Sequence, residues 1–230
     1  KKIISATDIT QEKRTERLAS MGQVAAHLAH EIRNPIGSIS LLNSTLLKRA
    51  ESKILPIVEQ IQKGIWRVER IIKATLLSTK GLSITPKEFN FLDIKSECEE
   101  ALKFYEYSKD ISFELNFPDA IYCGDFDLIA MVFQNILFNA IDAIEEDEND
   151  EGVVRLSYEK TPNEHKFIVY DSGVSIKNEN IVFEPFKTSK LKGNGLGLHL
   201  CLQIIEAHKG SIEITLEPKT FCINLPIKEK

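Results

Sequence analysis

The chain has 230 residues, 43% hydrophobic and 27% charged, which suits one large globular domain or two small ones. With 29 basic against 34 acidic side chains the net charge is −5, which argues against nucleic-acid binding driven by charge. No apolar run reaches the roughly 18 residues of a membrane span, and four scattered cysteines (Cys98, Cys123, Cys201, Cys222) without a C-x-x-C pair read as reduced structural thiols of a cytoplasmic protein.

The first residues, through "ATDITQEKR" (6–14), pass from a polar turn into a charged helix start. Because the chain opens on Lys1 without a signal peptide, residues 1–10 are expected to be the tail of an upstream sensory region. From there to about residue 80 there are few breakers. Leu18, Met21, Ala25, Leu28, Ile32, Pro35, Ile39, Leu42 and Leu46 recur in alternating steps of three and four, a heptad seam. Ile54, Val58, Ile61, Ile65, Val68 and Ile72 repeat the pattern in a second helix, expected over about 52–79, with Gly81 as its stop. The link near Arg49–Ser52 is short, so the helices are expected to be antiparallel. Two helices cannot bury both seams alone. A second copy would complete a four-helix bundle; cover by the rest of the chain is the alternative.

With Ala25 at heptad position a and Leu28 at d, His30 falls at f, farthest from the seam and open to solvent. His27 and Asn34 lie one turn to either side on the same face. Glu31 is close enough to hold one ring nitrogen as N–H and leave the other with a free lone pair. Such a neutral imidazole is a nucleophile near pH 7. Pro35 removes a helical hydrogen bond at a cost of about 3 kcal/mol in a helix interior, which suggests a required bend. The zinc motif H-E-x-x-H is excluded, because its second histidine position is Asn34.

After "SITPK" (83–87), a candidate boundary, the grammar changes. The runs "ISFEL", "AIYCG", "VVRLSYE", "KFIVYD", "GSIEITL" and "TFCINLP" read as strands, and about 92–107, 125–147 and 196–208 as helices. This predicts an α+β domain with a largely antiparallel sheet and helices on one face. The acidic run "EEDENDE" (145–151) reads as a solvated loop.

No Walker loop occurs, so a nucleotide would need another cradle. In "QNILFNAIDAI" (134–144), Asn135, Asn139 and Asp142 share one helical face, opposite Ile136, Leu137, Ala140 and Ile144. Amide oxygens there suit Mg²⁺, a hard cation that binds through few protein ligands plus phosphates. In "VYDSGVSI" (169–176), Asp171 ends a strand, where a carboxylate can accept a hydrogen bond from an adenine amine. Gly173 would let the base approach the backbone. In "GNGLGL" (193–198), Gly193, Gly195 and Gly197 stand before a helix, where bare N–H groups form an anion site.

"HLAHEIRNPIGSI" (27–39) resembles the H-box of bacterial sensor histidine kinases, and four further segments follow in that family's order, so the resemblance spans nearly the whole chain. The segment 134–144 resembles the N-box, 169–176 the G1 box (with Ser175 where a second glycine is usual), "FEPFKTSK" (183–190) the F-box and 193–198 the glycine loop. The resemblance implies two domains. Residues 11–82 would be a helical hairpin dimerising into a four-helix bundle, and 83–230 an α/β-sandwich ATP-binding domain of the Bergerat or GHKL kind. It implies autophosphorylation of His30 from ATP, with Glu31 as acid–base partner and Asn34 placing a water for dephosphorylation of a response regulator. It implies Mg²⁺ on Asn139, and ATP on Asn135, Asn139, Asp142, Asp171, Gly173, Phe186, Thr188, Lys190, Gly193, Gly195, Leu196 and Gly197. Phe183 and Phe186 would anchor a lid, shorter here than is common, and Lys190 would reach the terminal phosphate. The implied partners are a second copy and a response-regulator receiver domain, with no nucleic acid and no membrane contact. The "HEIRNP" box leans toward the nitrogen-regulator type. Two alternatives stand beside this reading: a GHKL ATPase that drives conformational change, and a signalling scaffold that binds nucleotide weakly.

Overall fold

The structure is a computed structural model that describes residues 31–80, 82–176, 182–185 and 195–227. It divides into two compact units, one ending at Gly81 and one beginning at Leu82. His30 and His27, and with them Leu18, Met21, Ala25 and Leu28 of the expected seam, lie outside the described residues.

In the first unit, residues 31–47 form helix α1, which continues through Pro35, and Leu55–Lys80 form α2. The second helix starts three residues later than the periodicity predicts. Ser52, Lys53 and Ile54 form a turn, the Ile54 and Leu55 amides donate back to the Glu51 carbonyl, and Pro56 then falls in the first helical turn, where a missing N–H costs nothing. The face of α1 shielded within the hairpin is Ile36, Ser40, Asn43 and Leu47, one position on from the apolar seam. On α2 it is Val58, Ile65, Ile72 and Leu76. Asn43 is buried and donates to Gln62 Oε1 at 2.8 Å and to the Val58 carbonyl at 3.3 Å. The seam residues Ile32, Ile39, Leu42 and Leu46, with Ile54 just before α2 and Ile61 on it, are exposed in the single chain.

The second unit is built on a five-stranded sheet. Strand β1 is Lys87–Asn90, β2 Asp110–Leu115, β3 Ile121–Gly124, β4 Glu151–Lys160, β5 Glu164–Asp171, β6 Ser211–Leu216 and β7 Lys219–Pro226. The order is β2-β4-β5-β7-β6, with β2–β4 parallel and every other pairing antiparallel. Strands β1 and β3 form a separate antiparallel pair; β1 was not expected, because four residues after a proline carry too little periodicity to register. Helices α3 (Phe91–Phe104), α4 (Phe126–Glu145) and α5 (Gly197–Ala207) complete the unit.

Capping residues set where the helices begin. Asn90 and Asp93 make a capping box at α3, and Asp125 caps α4 by accepting from Leu128 N. Asp125 also accepts from Thr85 N at 2.9 Å, tying the segment before β1 to the start of α4. At the far end of α5, His208 donates from Nδ1 to the Ile204 carbonyl and accepts the Asp125 amide at Nε2, which fixes its tautomer. Helix α4 is the spine, with fourteen buried residues, and it packs on β4, β5, α3 and α5. Among the described residues it alone is long and apolar enough to cross a membrane, and it is the core helix of this unit. Each fully buried Ile, Leu or Phe contributes on the order of 1.5–3 kcal/mol.

Candidate functional site

Strand periodicity decides where Asp171 goes. Along β5 the buried positions are His165, Phe167, Val169 and Asp171, the single face that meets the helices. The last of these is a carboxylate, only 3% exposed, and a buried charge needs a partner. Strand β7 supplies it. Lys219, Phe221, Ile223 and Leu225 alternate on the same face, and Lys219 lies one step beyond the Tyr170–Thr220 pair of the ladder. Its Nζ meets Asp171 Oδ1 at 2.5 Å. The lysine was missed, although "KTFCINL" alternates cleanly with Lys219 on the inward side.

Gly173 follows on the other side of Asp171, its amide donating to Asp171 Oδ1 at 3.0 Å. A Cβ on Gly173 would stand 2.3 Å from the Ala143 carbonyl carbon and 2.4 Å from Ile144 N. The backbone of α4 therefore requires a glycine here, a packing reason that stands beside the expected approach of a base. The next amide, Val174 N, donates to Ala143 O at 3.0 Å and pins the loop to the helix. Ser175 is exposed and not in the left-handed region, since Lys209 is the one non-glycine at positive φ among the described residues. A second glycine is not needed for the backbone at that position.

The three polar positions of α4 separate in role. Asn135 is buried, not on an open stripe, because the start of α5 packs there; a Cβ on Gly197 would lie 3.8 Å from its amide. Asn139 is half-buried one turn on. Asp142 accepts a 2.7 Å hydrogen bond from the Tyr105 hydroxyl, and the Tyr105 ring stacks on Phe138 at 4.2 Å. The opposite face, Ile136, Leu137, Ala140 and Ile144, is buried as expected. From Asn135 to Ala143 the helix rises roughly 12 Å, so one straight element links the glycine-loop end of the site to the Asp171 end.

At the glycine-loop end, Gly195 has φ 67, a conformation that favours glycine. Leu196 is buried and caps α5 without a side-chain hydrogen bond. The N-terminal amides of α5 thus keep the donor character that suits an anion. His199 Nδ1 bonds the Phe183 carbonyl at 2.9 Å and ties α5 to the F-box segment, a link no spacing argument supplied. Phe186, Thr188, Lys190 and Gly193 lie outside the described residues, as does most of the lid. Glu31 and Asn34 are both exposed on α1.

At the other end, an open cavity of about 280 Å³ is lined by Asp171, Gly173, Ser175, Leu216, Pro218 and Lys219, among others. Among the described residues no three His, Cys, Asp or Glu side chains converge as a metal cage. That suits a cation held largely by a ligand's own oxygens, with one amide such as that of Asn139.

Comparison with known proteins follows the same division. Residues 20–82 match the His Kinase A (phospho-acceptor) domain, and residues 124–229 match the histidine kinase-, DNA gyrase B-, and HSP90-like ATPase. The sensor histidine kinase FlgS of Helicobacter pylori is 53% identical over 230 residues, which cover 98% of this chain and 60% of that protein. Sporulation kinase C of Bacillus subtilis is 30% identical over 224 residues, covering 94% of this chain and 51% of that one. The chain therefore spans little more than half the length of these relatives. Among solved structures, the nucleotide-free catalytic domain of histidine kinase ThkA is 30% identical, with a TM-score of 0.50 over 62% of this chain and 95% of that chain. The Acinetobacter baumannii histidine kinase AdeS shares the fold at 21% identity, with a TM-score of 0.53 over 87% of this chain and 98% of that one.

Proposed function

Since the chain belongs to the sensor histidine kinases, its phospho-acceptor region followed by their shared type of ATPase region, we propose that it phosphorylates itself on His30 from ATP. The phosphoryl group then passes to an aspartate of a response-regulator receiver domain. Residues 11–82 act as the dimerisation and phosphotransfer domain and 83–230 as the ATP-binding domain, in the cytoplasm. The observation that carries this reading is the arrangement along α4. A buried acceptor, Asp171, is pinned at one end through Gly173 and Val174, and the start of α5 is held against Asn135 at the other.

Asp171 accepts from the exocyclic amine of adenine. Asn135, Asn139 and Asp142 line the α4 side of the nucleotide, with Asp142 held by Tyr105. Gly193, Gly195, Leu196 and Gly197 present backbone N–H groups to the phosphates. Phe186, Thr188 and Lys190 belong to the lid segment, and Lys190 offsets charge as the phosphoryl leaves. Asn139 would hold Mg²⁺ as its protein ligand, and the ion would offset negative charge on the phosphate oxygens. Glu31 orients the His30 ring so that a nitrogen lone pair faces the γ-phosphorus. The N–P bond forms as the bond to the bridging oxygen breaks, and ADP leaves. Asn34, exposed one turn from His30, orients the water that removes the phosphoryl group from the regulator.

The apolar face left open on the hairpin supports a homodimer. Among the described residues, nine of the thirteen exposed large hydrophobics lie on α1, α2 and their connection, far more than a solvated hairpin needs.

Incubation with γ-labelled ATP and mapping of the modified residue tests the central claim. His30→Ala is expected to abolish incorporation while ATP still binds; label retained on the variant rejects the assignment. Labelled phosphate released to solvent with no acid-labile protein phosphate indicates an ATPase instead. Asn34→Ala is expected to slow regulator dephosphorylation and spare autophosphorylation, measured by the decay of labelled regulator.

A further inference from the structure

Phosphoryl transfer requires no lysine beside Asp171, yet the fold places one there at some cost. Lys219 is 7% exposed and lines the same cavity as Asp171 and Gly173. An ammonium carries three N–H donors and no acceptor. Lys219 directs one to Asp171 Oδ1 and one to the Val174 carbonyl, each at 2.5 Å. Among the described residues no third acceptor meets it. Burying a charged donor short of partners is expensive, and the cavity is where the missing partner can sit. Simple neutralisation of Asp171 explains the ion pair but not a third donor left on the cavity wall.

The pair has a chemical complement. Side by side it offers an acceptor, the carboxylate, and a donor, the ammonium. The hydrogen-bonding edge of adenine offers the reverse in the same order: the exocyclic N6 amine donates and the adjacent ring nitrogen N1 accepts. Guanine shows an acceptor at the first position and an N–H at the second, which opposes both protein groups. Because Asp171 and Lys219 neutralise each other, an uncharged base meets no net charge there. We infer that Lys219 is a second base-reading residue, whose ammonium donates to adenine N1 while Asp171 accepts from the N6 amine. This rests on the base-site reading of Asp171 given above.

Calorimetric titration of the whole chain with ATP and with its 1-deaza analogue, in which C–H replaces N1, tests it. The unmodified protein is expected to bind ATP about ten-fold more tightly than the analogue, the size of effect a charge-assisted hydrogen bond gives. Lys219→Met is expected to bring the two affinities together, and Asp171→Asn to weaken both. Equal affinity of the unmodified protein for the two nucleotides overturns the role of Lys219, and a loss of binding in Asp171→Asn then leaves the base site standing. Unchanged ATP affinity in Asp171→Asn removes the base site and the inference together. Tighter ATP binding in Lys219→Met would mean that the ion pair closes the cavity, and this also overturns the inference. The comparison of nucleotides on the unmodified protein decides the matter even if Lys219→Met does not fold.

Discussion

His165 ties the stability of the second unit to pH. It is 5% exposed, stacks on Tyr158, meets the Phe91 and Tyr122 rings edge-on at 5.1 and 6.0 Å, and shares a 2.9 Å hydrogen bond with the Tyr158 hydroxyl. Burial holds its pKa below the ordinary histidine value, and the positive charge of Lys160 adds to the effect. The fold favours the neutral ring, so the unfolded chain takes up the proton first as pH falls. The contribution is complete above about pH 6.5 and is lost as pH drops from there through the folded-state value. Calorimetric melting at pH 7.5 and 5.5 is expected to show a fall in midpoint that His165→Phe reduces; an equal fall in both proteins would place the sensitivity elsewhere. Cys98 behaves differently. Burial pushes its thiol far up, and Glu97 and Glu99 push the same way, so the group stays protonated and inert as a reduced core residue.

Helix α4 shows how an element carries the site without supplying all of its chemistry. It joins the two ends of the candidate nucleotide site, and its backbone at Ala143 and Ile144 sets what the loop after β5 is allowed to be. Gly173→Ala places a methyl group against main-chain atoms, which cannot turn aside as a side chain can. The expected cost is about 1–3 kcal/mol, read as a lower melting midpoint, together with weaker ATP binding as Asp171 and Val174 are pushed off the helix. An alanine variant with unchanged melting and affinity would show that the loop can move freely. Most elements were legible because their periods are clean: the fourteen buried residues of α4 and the alternation along β5 and β7 are written in single stretches of chain. The start of α2 and the whole of β1 were not, since a proline-bearing first turn and a four-residue strand leave no period to read.

Across the molecule, the first unit leaves the described part of its α1 seam, Ile32, Ile39, Leu42 and Leu46, uncovered while the second buries its own core. Within the hairpin the shielded face of α1 is partly polar, with Asn43 and Ser40 among its members. The most apolar surface of the unit therefore remains for a second copy. Leu42 is 65% exposed at its middle. Leu42→Glu is expected to leave the chain folded and shift it from dimer to monomer at micromolar concentration, measured by light scattering. A variant that stays dimeric would show that this seam is not the interface.

What the sequence determined by itself is whatever repeats or caps locally: two helices and then an α+β unit, the core face of α4, and the polar residues set beside or within those periods, among them Asn34, Asn135, Asn139 and Asp171. What only the tertiary structure decided is which of them meet. Lys219 and Asp171 are 48 positions apart and become neighbours only because β7 pairs with β5 in one register. Gly173 is glycine because of a helix some thirty residues earlier. Asp142 belongs to Tyr105 because α3 lies beside α4. A period is a property of neighbours along the chain, whereas an ion pair or a close approach depends on where distant segments pack, and no local pattern encodes that.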